Sequence, residues 1–314
     1  MNTGEQYTLP LAVVVCGPTG IGKTSFAIEL ARQFRGEIIG ADSMQLYRHM
    51  DIGTAKPTPG EQAAVKHHMV DVVDPDDHFD AEMFADMAYS KVVALTGKGI
   101  LPFIVGGTGL YIKALIHGLF ESQKIDASVR QRLKKEAKEQ GGLQLHARLK
   151  AIDPAAADRI HANDTYRIVR ALEIYETTGR PMSDTQQQHR FEPQRLRTIK
   201  IGLHMDRESL YQRIDQRVDI MLDQGLLAEV KGFLEKGYSS ELKSMKSLGY
   251  RHMAAFLNNE VDWDEAVRTL KRDHRHYAKR QMTWFRADPE VAWLEPDNLE
   301  EAASMVAAFK ATFG

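Results

Sequence analysis

The chain has 314 residues, 43% hydrophobic and 27% charged, with one cysteine and a formal net charge of −2. A single cysteine excludes an internal disulfide, apolar runs no longer than a strand exclude a bilayer-spanning helix, and the slightly acidic total excludes a uniformly basic nucleic-acid coat. The start, MNTGEQYTLP, has no basic segment followed by a long apolar one, so no signal peptide is expected and the expected location is cytoplasmic.

Leu9 to Cys16 is apolar and rich in β-branched residues, which predicts a buried strand. Gly17-Pro18-Thr19-Gly20-Ile21-Gly22-Lys23-Thr24 follows and fits the phosphate-loop pattern G-x-x-x-x-G-K-[ST]. From Lys23 to Phe34 the apolar residues Phe26, Ala27, Leu30, Ala31 and Phe34 recur at helical spacing, so the loop sits between strand and helix, as the pattern requires. In such a loop the glycines let backbone N–H groups converge on phosphate oxygens, and the helix N-terminus adds partial positive charge. Lys23 is then expected to bridge phosphate oxygens, Thr24 to place its hydroxyl on Mg²⁺, and Thr19 and the loop amides to donate hydrogen bonds.

Glu37 to Gly40 reads as a second strand, ending at Ala41-Asp42-Ser43, and Ala81 to Thr96 as an amphipathic helix. Ile100 to Val105 is a third strand, closing on Gly106-Gly107-Thr108-Gly109. Strands alternating with helices predict parallel βαβ units, whose ligands lie beyond the carboxyl ends of the strands. The strand before Gly106 lacks the aspartate expected of an ATPase or kinase at that place. The acid stands instead at Asp42, where a carboxylate can serve an acceptor, a magnesium ion or a turn; spacing alone leaves these open, and a small-molecule kinase or ATPase remains an alternative.

Beyond about Leu119 the texture changes. Residues 121–200 hold 16 Lys or Arg against 11 Asp or Glu, so this stretch is basic while the remainder is acidic. Helices are predicted over 128–140, 155–160 and 165–178, the last closed by Gly179-Arg180-Pro181. The polar tract Gln186 to Arg190 reads as a loop or frayed helix. Strand character returns at 198–203, and helices are predicted over 207–224, 226–236 and 264–286. The fold class expected is α/β: a P-loop NTPase-like parallel sheet core flanked by helices, formed by 1–119 and 198–314, with an all-helical insertion domain over 120–197.

Several motifs together resemble the tRNA dimethylallyltransferases. They are GPTGIGKT, Asp42-Ser43-Met44-Gln45-Leu46-Tyr47, Met50-Asp51-Ile52-Gly53-Thr54-Ala55-Lys56-Pro57, Gly106-Gly107-Thr108-Gly109-Leu110-Tyr111, Arg170-Ala171-Leu172-Glu173, Ser247-Leu248-Gly249-Tyr250-Arg251 and Ala278-Lys279-Arg280-Gln281 with Thr283-Trp284-Phe285-Arg286. The resemblance spans about 12–294. It implies transfer of a dimethylallyl group from dimethylallyl diphosphate to N6 of the adenosine immediately 3′ of the anticodon, with Mg²⁺ and release of diphosphate. It implies Asp42 as the base, with Lys23, Thr24 and Arg217 on the diphosphate. It further implies tRNA contacts, through the anticodon stem-loop, at Asp42, Ser43, Met44, Gln45, Thr108 and Arg130. A second group runs over Tyr166, Arg167, Ile168, Val169 and Arg170, and a third over Lys246, Ser247, Leu248, Gly249, Tyr250 and Arg251. Tyr166 and Tyr250 are expected to stack on bases. At Thr165-Tyr166 many family members have Pro followed by Gln or Lys, so stacking would replace a hydrogen bond there. A monomer with no membrane contact is expected. Other readings are an adenylate isopentenyltransferase acting on a free nucleotide, against which the basic 120–197 stretch speaks, and a non-catalytic RNA-binding switch. His67 and His68 lack partners at metal-ligand spacing and read as structural or channel-lining, and His274 and His276 as surface residues.

Overall fold

The computed structural model describes residues 9–119, 127–184 and 194–314; the Gln186–Arg190 tract lies outside them. Six strands form one sheet in the order β3-β2-β4-β1-β5-β6, and every pairing is parallel. They are β1 (Leu11–Cys16), β2 (Glu37–Gly40), β3 (His67–His68), β4 (Pro102–Gly106), β5 (Arg197–Leu203) and β6 (Val291–Leu294). The sequence reading finds four of these. It misses β3, which is two residues long, and β6, whose Val-Ala-Trp-Leu lacks the adjacent β-branched pair that marks the equally short β2. Both are recruited by hydrogen bonding to a neighbour already in place, β3 to β2 and β6 to β5.

The sheet is apolar on both faces because each strand sends alternate side chains to opposite sides. On one face Val13, Val15, Phe103 and Ile201 meet helix α1 (Lys23–Gln33) through Phe26, Ala27, Leu30 and Ala31. On the other face Val14, Ile39 and Ile104 meet α3 (Ala81–Thr96) and α4 (Gly109–His117) through Phe84, Ala88, Val92, Ile112 and Leu115. A short helix α2 (Pro59–Ala64) precedes β3, capped at Thr58 by a reciprocal capping box with Glu61.

The chain divides into two compact units, one formed by Met1–Ile116 with Arg195–Gly314 and the other by His117–Gln194. The described elements of the second unit include α5 (Ala127–Gln140), α6 (Gly142–Ile152), α7 (Pro154–Arg159) and α8 (Thr165–Thr178). They pack around their own core of Leu133, Leu145, Leu149, Ile168 and Leu172. Asp164 caps α8 by accepting the Arg167 N–H, and Gly179 closes it in the left-handed conformation.

Back in the first unit, α9 (Arg207–Asp223), α10 (Leu226–Glu235), α11 (Tyr250–Leu257) and α12 (Trp263–Arg286) share a further core, which includes Val218, Val230, Tyr250 and Leu270. A final helix, α13 (Leu299–Phe313), closes on the α1 face of the sheet through Ala302 and Val306.

The topology positions the site. After β1 the chain crosses to β2 on one side; after β4, the direct neighbour of β1, the next strand lies on the other side. Connections leaving neighbouring strands in opposite directions open a crevice at their carboxyl ends. Cys16 and Gly106 are register partners at that edge, so the turns that follow both strands face the same crevice.

Candidate active site

Residues 17–24 link β1 to α1. Gly17 adopts φ 142°, and a Cβ there would lie 2.8 Å from the Leu203 carbonyl oxygen, so a side chain is excluded by both conformation and space. The α1 helix has Gly22 as N-cap with no side-chain hydrogen bond onto its first amides. Its first turn is therefore not closed off by a capping side chain. Ile21 points the other way and is fully buried in the core beneath the loop.

Lys23 Nζ donates to the Pro18 carbonyl at 2.7 Å, which folds the side chain back over the loop. Protein surrounds its ammonium on most sides and Arg217 stands nearby, which together push its pKa down to about 8 against the pull of Asp42. Part of its side chain still faces the open cleft. Arg217 comes from α9. Burial lowers its pKa, the charges of Asp42 and Glu61 oppose that, and its Nε is a buried atom with no hydrogen-bond partner among the described residues. A guanidinium N–H without an acceptor is costly, and an anion in the cleft would satisfy it.

Asp42 follows β2. Its Oδ1 accepts the Met44 N–H at 2.9 Å, which fixes the carboxylate at the start of a tight turn. The Ser43 N–H donates to Thr108 Oγ1 at 3.1 Å, and the Thr108 N–H donates to the Ala41 carbonyl at 3.2 Å. The loops after β2 and β4 are thus tied together beside Asp42. Thr19, Lys23, Thr24, Asp42, Gln45 and Arg217 all line one cleft of about 650 Å³.

A family model described as "IPP transferase" matches residues 45–288. A tRNA dimethylallyltransferase of Desulfosudis oleivorans is 53% identical over 308 residues, covering 98% of each chain. The chain belongs to the tRNA dimethylallyltransferase family. Among solved structures, the tRNA isopentenylpyrophosphate transferase of Bacillus halodurans is 39% identical, with a TM-score of 0.72 over 95% of this chain and 96% of that one. A eukaryotic dimethylallyltransferase acting on tRNA superposes with a TM-score of 0.82 at 27% identity, covering 97% of this chain and 80% of that one.

In this tRNA dimethylallyltransferase chain the residues expected at RNA divide by exposure. Lys246 and Arg251 are exposed and ion-paired, to Glu241 at 2.7 Å and Asp273 at 2.5 Å. Ser247 Oγ donates to the Ser244 carbonyl at 2.6 Å, while Leu248 is half-buried and Gly249 buried. Within the second unit Tyr166 is 79% exposed and Arg167 is exposed, whereas Arg130 and Arg170 both bind the buried Glu173, at 2.7 and 3.0 Å.

Four expectations need correction. Tyr250 is 0% exposed, with its ring in the core and its hydroxyl donated to Glu229, so it offers no face to a base. Ile168 and Val169 are buried on the inner face of α8, because they fall on its apolar stripe, and they present no side chain to RNA. His274 is buried; enclosure and the charge of Arg217 push its pKa down to about 3. The Thr19 amide is already engaged, since its N–H donates to Gln281 Oε1 at 2.8 Å.

Gln281 is the residue that the sequence reading passed over as a member of a motif without a role. It is 5% exposed, and its Nε2 donates to the Gly107 carbonyl at 2.9 Å. One side-chain amide therefore joins the phosphate loop to the loop after β4. The signal available in the sequence was a glutamine on the stripe Leu270, His274, Ala278, Gln281, Phe285, where α12 is otherwise buried. His67 and His68 hydrogen-bond to the Val65 carbonyl at 2.7 Å and the Glu37 carboxylate at 2.6 Å.

Among the described residues no group of three or more His, Cys, Asp or Glu stands ready to hold a metal, and no helix is long and apolar enough to cross a membrane. Magnesium does not require such a group. It keeps several waters and takes phosphate oxygens with one or two protein oxygens, which Thr24 and Asp42 in the cleft are chemically suited to supply.

Proposed function

We propose that this transferase moves the dimethylallyl group of dimethylallyl diphosphate onto N6 of the adenosine immediately 3′ of the anticodon in tRNA. The observation that carries this reading is the charge arrangement in the cleft. Two cations, Lys23 and Arg217, and one carboxylate, Asp42, share it, while the end of β4 holds glycine where a nucleotide hydrolase needs an acid.

The roles follow from chemistry. The lone pair of an adenine amino group is delocalised into the ring, so N6 is a weak nucleophile. Its bond to C1 of the prenyl group forms as the bond from C1 to the diphosphate oxygen breaks, and Asp42 takes the N6 proton. Lys23 and Arg217 stabilise the charge gathering on the departing diphosphate. Mg²⁺, held by Thr24 and the phosphates, would neutralise part of the same charge. The target base must leave the anticodon stack to reach the cleft. Exposed Tyr166, Arg167, Lys246 and Arg251 are assigned to RNA, the cations to phosphates and Tyr166 to stacking. All these residues belong to one chain, so a monomer suffices.

The test is incubation with Mg²⁺, dimethylallyl diphosphate and an anticodon stem-loop bearing adenosines 3′ of the anticodon, with free adenylate in parallel, read by mass. A dimethylallyl adduct on the stem-loop alone is the expected result. An adduct on adenylate alone moves the assignment to a nucleotide enzyme, and no adduct on either overturns prenyl transfer.

A further inference from the structure

Glu229 does not line the cleft, yet its carboxylate organises one side of it. It stands in the first turn of α10 and accepts four hydrogen bonds. The N–H groups of Asp51 and Ile52 reach Oε2 at 3.0 and 2.9 Å, that of Gly53 reaches Oε1 at 3.2 Å, and the Tyr250 hydroxyl donates to Oε1. Three consecutive amides converging on one anion make a nest, here filled by the protein's own side chain. The fit is close: a Cβ on Gly53 would lie 2.4 Å from Cε2 of the Tyr250 ring.

The other edge of this loop is tied separately. Lys56 Nζ binds Asp51 Oδ1 at 2.6 Å and Asp71 Oδ1 at 2.5 Å, and Gln45 Nε2 donates to the Thr54 and Ala55 carbonyls at 3.3 and 3.1 Å. The loop so held supplies Ile52, Ala55 and Pro57 to the cleft, facing a cavity that Val70, Ile220 and Met221 also line. These are apolar parts of a lining to which the same loop also gives Asp51, Thr54 and Lys56, and to which Ile38 and Val105 add from the sheet. The bonds that shape the phosphate loop, from Lys23 to Pro18 and from Thr19 to Gln281, are distinct from these.

We infer that Glu229 is a positioning residue that sets the apolar wall of the cleft, and through it the affinity for the prenyl tail of the donor rather than for its diphosphate. The inference rests on the reading that a prenyl diphosphate occupies the cleft. Glu229→Gln replaces one acceptor oxygen by an NH₂ group, which turns donors against donors at one side of the carboxylate while keeping size and shape. The Asp51–Gly53 amides then lose part of their anchor, and the wall shifts from the geometry that packs a five-carbon chain. Tyr250→Phe removes a single donor and acts in the same direction, more weakly.

The experiment is calorimetric titration, without RNA, of dimethylallyl diphosphate and of inorganic diphosphate, each with Mg²⁺, into wild type, Glu229→Gln and Tyr250→Phe, together with thermal melting. In Glu229→Gln the affinity for dimethylallyl diphosphate is expected to fall about tenfold, and that for inorganic diphosphate to stay within about twofold. Equal losses for both ligands overturn the inference, as does unchanged affinity in a variant that melts like wild type. Should Glu229→Gln not fold, Tyr250→Phe decides, and wild-type affinity for the prenyl donor in that variant overturns the inference. Wild type that binds inorganic diphosphate but not dimethylallyl diphosphate overturns the proposed function along with it, so the two failures have different signatures.

Discussion

Asp42 and Lys23 make opposite demands on the cleft. Asp42 must be ionised to accept a proton, and its turn with Met44 holds it in place without neutralising it. Asp42→Asn keeps the size and the turn but removes the base. Its kcat is expected to fall by about 10²–10⁴, with stem-loop affinity nearly unchanged. Single-turnover kinetics beside filter binding measure both, and unaltered turnover would remove Asp42 from the chemistry. Lys23 must be protonated to hold a diphosphate, and burial together with Arg217 brings its pKa down to about 8. The charge is therefore complete well below that value and is lost as pH rises through it. The KM for the donor is expected to climb above pH 8, and Lys23→Arg, whose guanidinium stays charged, to flatten that limb. A KM constant to pH 9.5 in wild type would contradict this assignment. Lys23 was legible from the phosphate-loop pattern itself, whereas Asp42 was legible as a carboxylate at a strand end and its role as base came from the family resemblance.

At the scale of elements, what matters is how far a motif's consequences extend beyond itself. The phosphate loop is a local feature of strand, glycines and helix, yet its Thr19 amide is bound by Gln281 from α12, 262 residues later. That amide also holds Gly107, so removing it frees two backbone groups at once. Gln281→Leu is expected to lower kcat/KM by roughly tenfold or more and to cost about 1–3 kcal/mol of stability, from the polar groups left without partners. Steady-state kinetics and urea unfolding check both numbers; a variant indistinguishable from wild type would reduce Gln281 to core filler. The same scale explains which elements could be read in advance. β1, β4 and β5 are long enough to show β-branched runs, and α1, α3, α9 and α12 carry apolar stripes. β3 and β6 carry no such run, and are strands only because a paired neighbour completes them.

At the scale of the whole molecule the net charge of −2 conceals exposed cations, Lys246 and Arg251 in one unit and Arg167 in the other. If these meet phosphates, stem-loop affinity falls linearly with salt on a log–log plot, by roughly 0.7–0.9 per phosphate contact. A slope of about −2 to −3 is expected for these three contacts, and Lys246→Ala or Arg251→Ala should each reduce it by about one. A flat titration would remove the electrostatic footprint.

The sequence by itself determined the α/β class, the phosphate loop, the carboxylate after the second strand and the family, because each rests on residues close together in the chain or on motifs that need no geometry. Tertiary structure alone decided which side chains remain accessible. Tyr250 carries the hydroxyl and ring of a stacking residue, but its place between Gly53 and Glu229 buries it, and His274 looks like one more basic surface residue until α12 packs against the helix that carries Arg217. Burial and hydrogen-bond partnership are properties of packing between distant segments. The roles of Gln281 and Glu229, which hold loops more than 170 residues away, come into being only once those segments meet.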